Sequence, residues 1–96
     1  MTAATRSALA LALTLTAAAA TAQEPARVAI HVDEENVSTM NMALNNAANI
    51  IKHYESVGRP VQVEIVAYGP GLHMLRSDTS PVKDRISVMA LEHEEL

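Results

Sequence analysis

Four histidines, at positions 31, 53, 73 and 93, and no cysteine make up the chemistry-bearing inventory of this 96-residue chain. Without cysteine there is no thiol nucleophile, no thiolate metal ligand and no disulfide staple. No two histidines stand three or four residues apart, and His31-Val32-Asp33 offers only two donors. The pattern therefore predicts no metal centre and no cofactor, and it names no catalytic residue.

Two positions remain that could contact a ligand. In "EIVAYGPGLHML", Glu64 to Leu75, a β-branched run stops at Tyr68, passes through Gly69-Pro70-Gly71 and resumes as apolar residues at helical spacing. At the carboxyl end of a parallel strand this loop would border the crevice where ligands collect in open α/β sheets. Gly69 and Gly71 allow close backbone approach, and the N–H groups of Gly71, Leu72 and His73 would open a helix toward an anion, so the loop is read as a cradle for a small oxyanion or sulfur species. A tight strand-to-helix turn needs the same residues. The lysine and long glycine spacing of a phosphate loop are missing. His31 is the other polar group at a strand end; beside Tyr68 its imidazole could donate a hydrogen bond or act as a base, the competing reading being a histidine bonded to nearby backbone.

Asn41, Asn45 and Asn49 form an i, i+4, i+8 row on one predicted helix, where each asparagine is a weaker helix former than alanine. The row is read as a subunit contact or a clamp on neighbouring loops, against plain solvation of a polar face. Met40, Met74 and Met89 fall on apolar stripes and are read as core.

These residues need a scaffold. Met1 to Arg6 carries one positive charge, Ser7 to Ala20 is rich in alanine and leucine, and Ala20-Thr21-Ala22 is a small-x-small cleavage signal, so residues 1–22 read as a bacterial secretory signal and the protein as periplasmic or secreted. That apolar stretch is shorter than the roughly 20 residues needed to span a bilayer, so no stable membrane insertion is expected after cleavage. Seven basic and eleven acidic residues give the chain a net charge of −4. Arg6 lies in the signal, leaving residues 23–96 at about −5. An acidic chain with no basic stripe and only Tyr54 and Tyr68 as aromatic residues is a poor nucleic-acid binder.

"RVAIHV" (27–32) alternates apolar and other residues and reads as a strand. "DEEN" (33–36) suits a helix N-terminus. From Val37 to about Val57, apolar residues recur at three- and four-residue intervals, and Gly58 ends the helix. "PVQVEIVA" (60–67) is a second strand, with Pro60 tolerated at its start. A short helix is predicted over 70–76, then a last helix with Ser80 as N-cap and Pro81 as its first residue. Glu92, Glu94 and Glu95 crowd like charges at the negative end of that helix.

Strand, helix, strand, helix specifies parallel pairing with a right-handed crossover, and a parallel sheet of two strands is too small to be covered on both faces. The expectation is a fragment or a fold completed by another subunit, because about 74 residues lie near the lower limit for an unaided core; the alternative is a self-sufficient mini-domain.

"IHVDEE", "MALNNAANIIKHY", "VEIVAYGPGLHML" and "SPVKDRISVMALEHEE" together resemble the DsrE/DsrF-like family, small α/β proteins of bacterial sulfur relay, and in particular its exported branch. The resemblance runs from Val28 to Glu95. It implies a flavodoxin-like three-layer fold with a parallel sheet between helices, of which this chain holds the N-terminal β-α-β-α part, and a homo-oligomer, trimer or hexamer. Sulfur-relay members carry sulfur as a persulfide on cysteine, and in this branch the cysteine is expected just after "ALEHEE", beyond the end of the sequence. The implied function is sulfur-relay-related or small-ligand handling without persulfide chemistry on this chain; the alternative is a non-catalytic oligomeric binding or accessory protein.

Overall fold

Alternating apolar residues in two short runs, separated by a long helical stripe, give one α/β unit. A computed structural model describes residues 24–96, so the predicted signal lies outside the described residues. Strand β1 spans Ala26–Val32, helix α1 Val37–Ser56, strand β2 Val61–Ala67, a 3-10 helix Gly69–Leu75, and helix α2 Lys83–Glu92. The strands pair in parallel, from Ala26 opposite Val61 to Val32 opposite Ala67. This is the coarse architecture the sequence predicts.

Asn36 starts α1: its Oδ1 accepts from the N–H groups of Ser38 (2.9 Å) and Thr39 (3.2 Å), two of the donors that a helix start leaves unpaired. Gly58, at φ +66°, ends the helix in the left-handed region. Its N–H reaches the Glu55 carbonyl while that of Arg59 reaches Tyr54, so the last turn's carbonyls are satisfied in a Schellman arrangement.

Met40, Ala43, Leu44, Ala47 and Ile51 of α1 are buried in one core with Val32, Val61, Val63, Met74, Val82 and Met89. All of the described helices lie against that one face of the sheet. The opposite face, carrying Arg27, Ala29 and His31 of β1 and Gln62, Glu64 and Val66 of β2, is exposed. The described residues therefore form two layers. None of their helices is long and apolar enough to cross a membrane.

Two predicted helices differ in detail. The short helix predicted over 70–76 is present as a 3-10 helix, Gly69–Leu75. Gly71 and Met74, three residues apart, are buried and Leu72 and Leu75 half-exposed, which is the three-residue repeat of the tighter helix. Helix α2 starts at Lys83, not Pro81. Ser80 Oγ does accept from the Val82 N–H (3.3 Å), but Pro81-Val82 forms a turn before the first helical residue and Val82 takes the N-cap position.

Candidate functional site

Side chains two apart on a strand share a face, so His31, Val66 and Tyr68 project from the bare side of the sheet. His31 lies opposite Val66, and the chain leaving β2 stays bound to β1 because the Tyr68 N–H donates to the Val32 carbonyl at 3.2 Å. Tyr68 thereby meets His31 as a diagonal neighbour. The two rings stack with centroids 4.4 Å apart and planes 9° from parallel. Both are exposed, so the pair is a flat, open platform at the carboxyl end of the sheet.

The two glycines of the loop serve different ends. Gly69 takes φ +58°, which L side chains rarely adopt, with open space around its Cα. Gly71 is a matter of room, since a Cβ there would lie 2.1 Å from the Val32 carbonyl oxygen and 3.0 Å from the Asp33 Cα. The absence of a side chain brings the 3-10 helix onto the end of β1.

That packing bears on the predicted cradle. The Gly71 N–H donates to the Tyr68 carbonyl at 3.1 Å within the turn, so one of the three expected donors is not offered to a ligand. Gly71 also abuts the acidic loop Asp33-Glu34-Glu35, whose three carboxylates are exposed near the same sheet end. Like charge there repels a free anion.

His73, which the sequence offered only as a backbone donor, ties these loops together. Its Nδ1 lies 2.9 Å from Thr79 Oγ1, and its Nε2 3.8 Å from Glu35 Oε1. Glu35 follows β1 and His73 follows β2, so parallel pairing alone brings them to one end of the sheet. Beyond Thr79, Arg76 grips Asp78 through two bonds, Nε at 3.0 Å and Nη2 at 2.8 Å. This fork holds the Asp78 carboxyl below its ordinary range and raises the Arg76 guanidinium.

The asparagine row divides. Arg85 of α2 places Nη1 2.8 Å from Asn41 Oδ1 and 3.3 Å from the Asn41 carbonyl, and Nη2 on Asn45 Oδ1. Asn41 also donates to the Val37 carbonyl at 3.1 Å. Two of the three amides clamp a neighbouring helix within the chain, and Asn49 is exposed. Sequence reading missed Arg85. The signal for it was a cation on the last helix, with an amide row as the polar surface nearest in kind.

Among the described residues, no group of three or more His, Cys, Asp or Glu side chains is placed to hold a metal ion. Comparison with protein-family models, curated proteins and solved structures returned no match.

Proposed function

We propose that this chain is the N-terminal part of an exported DsrE/DsrF-like protein that handles a small, uncharged ligand, with reduced sulfur species the leading class. The observation that carries the reading is the stacked His31–Tyr68 pair at the carboxyl end of two parallel strands, where open α/β sheets bind ligands. In the three-layer form a further layer covers the bare face of the sheet, and oligomerisation into trimers or hexamers follows the family. With no cysteine, this chain does not carry a persulfide. It holds the ligand through the ring platform, and the neighbouring carboxylates select against anions.

The lack of a thiol also favours a second reading, a non-catalytic binding or accessory subunit using the same platform. One experiment addresses both. The full chain is titrated with sulfide under mildly acidic conditions, where sulfide is mostly uncharged, and separately with thiosulfate, while the His31 and Tyr68 ring resonances are followed by NMR. Saturable shifts with sulfide alone, lost in Tyr68→Ala, support sulfur handling. Unmoved rings in both titrations overturn it and leave the accessory reading.

A further inference from the structure

The loops that follow the two strands meet twice. Gly71 of the 3-10 helix lies against Val32 and Asp33, so close that a Cβ would run into the Val32 carbonyl. Two residues further along each loop His73 faces Glu35, with Nε2 3.8 Å from Oε1. The first meeting is backbone against backbone and has no moving part. The second depends on charge.

Both loops are anchored around that contact. The Tyr68 N–H donates to the Val32 carbonyl at 3.2 Å, Thr39 Oγ1 donates to Glu34 Oε2 at 3.2 Å, and Asn36 caps α1. On the other loop, Thr79 Oγ1 lies 2.9 Å from His73 Nδ1, and the Ser80 N–H donates to the Arg76 carbonyl at 3.0 Å. Glu35 and His73 are thus held face to face at a separation longer than a hydrogen bond.

A neutral imidazole has one N–H to share between its two sides. With the proton on Nε2 it points toward Glu35, and Nδ1 accepts from the Thr79 hydroxyl. With the proton on Nδ1, Thr79 accepts and Glu35 faces a lone pair. The imidazolium donates on both sides at once and meets Glu35 as an opposite charge. The charged groups around the ring are Glu35 from the loop after β1, and Asp78 and Arg76 from the loop before α2; α1 brings no acidic residue in its first turn. Arg76 first, and the charge of His73 as well, hold the Asp78 carboxyl low. Two carboxylates against one guanidinium leave the surroundings of the ring net negative.

We propose that His73 is a pH-operated clasp between the two strand-end loops. Taking up a proton draws Glu35 in, fastens the loop after β1 to the helix after β2, and offsets one negative charge beside the His31–Tyr68 pair. Glu35 leads back to His31, and His73 to Tyr68, within about one turn of chain each, so the clasp bears on the seat of both rings. Only that consequence rests on the ligand-platform reading. The charged ring gains its carboxylate on folding, so the clasp stabilises on the acid side of the histidine range and is lost as pH rises through it. The Arg76–Asp78 fork fades only in stronger acid, which keeps the two effects apart.

The test compares the full chain with Glu35→Gln, His73→Gln and the double variant in urea melts from about pH 8 to about pH 5. Both replacements are at partly exposed side chains, so the fold is kept, which circular dichroism checks. The two side chains are 36% and 64% exposed and water screens them, so the expected effect is about threefold in the folding equilibrium. The parent should gain that much over Glu35→Gln as pH falls. With His73 already replaced, the Glu35 substitution should leave a gap that is flat with pH. Hydrogen-exchange protection of the Tyr68 amide, whose bond ties the two strand ends, should rise in acid by about the same factor in the parent alone. A gap between parent and Glu35→Gln that stays constant with pH overturns the inference, as does one that opens equally in the His73→Gln background, which would assign it to another titrating group. If the clasp behaves as expected but sulfide moves neither ring, the clasp stands and the platform falls.

Discussion

The two faces of one small sheet have been put to opposite uses. On the helix side, Val28, Ile30 and Val32 of β1 and Val61, Val63 and Ile65 of β2 pack beneath Met40, Leu44 and Ile51 of α1 and Met74 of the 3-10 helix, several with no measurable exposure. On the other side, the same strands show water Arg27, His31, Gln62, Glu64 and a Val66 that is 41% exposed. A period of two makes this division automatic, since each strand sends successive side chains to opposite faces. Stability is concentrated on the first face and the proposed ligand platform lies on the second, so substitutions on the two faces should separate folding from any binding.

The largest effect is expected at Leu44, which is fully buried in the core under the sheet. Leu44→Ala should cost about 3 kcal/mol through lost burial plus the cavity left behind, a large part of the net stability of a domain this small. Urea denaturation should show the midpoint collapse. A loss under about 1 kcal/mol would mean that the core is looser than its burial implies.

Gly71 and Gly69 sharpen the contrast at the sheet's end. Gly71→Ala pushes a methyl group into the Val32 carbonyl, a backbone atom that cannot swing aside, and should cost about 3 kcal/mol. Gly69→Ala meets open space and strains only the left-handed φ, for about 1 kcal/mol. Equal losses in paired melts would show that conformation, not room, governs both positions.

Much of the fold was legible because its signals are local. The stripe from Met40 to Ile51 repeats over about three turns, and Gly58 sits where the helical pattern ends, so helix and stop were readable before any contact was known. The alternation in 27–32 and 60–67 likewise marked both strands. The region from Gly69 to Pro81 was less legible: two glycines, two prolines and a few apolar residues fit several tight windings, and burial of Gly71 and Met74 against β1 selects among them. The asparagine row was visible as an oddity. Its partner was not, because Arg85 lies 44 residues away and the pairing depends on how α2 crosses α1. The platform was legible as two strand ends, but the stacking of His31 on Tyr68 required the register.

The Arg85 clamp is between the faces in consequence, joining two helices through polar bonds at their rim. Arg85→Ala should cost about 1 kcal/mol, as expected for bonds made by a charged donor at a half-exposed site. Arg85→Lys should not restore it, because one ammonium cannot bridge both amides as the guanidinium fork does. Thermal melts of the two variants check this, and full rescue by lysine would reduce the clamp to its charge.

On the bare face, Tyr68→Ala removes a ring that stacks in the open and should cost no more than about 0.5 kcal/mol. The same variant should abolish the ring shifts with sulfide. If it melted like Leu44→Ala, the second face would also be holding up the fold, and the division between stability and chemistry would fail.

The smallest effect belongs to the Arg76–Asp78 fork, and its pH dependence gives it a signature. Arg76 holds the Asp78 carboxyl below its ordinary value of 3.8, so folding favours the ionised form. The contribution is fully present above that ordinary value and disappears as pH falls through the lowered folded one, where protonation removes the charge that Arg76 grips. Both side chains are more than half exposed, at 57% and 60%, so water and salt screen the pair heavily. Asp78→Asn should therefore melt slightly below the parent chain at neutral pH, and the gap should close in acid and narrow in high salt. Urea midpoints measured from neutral into strongly acidic buffer check it. A gap of constant size across that range would trace the effect to the geometry of the turn before α2, leaving the ion pair without a role in stability.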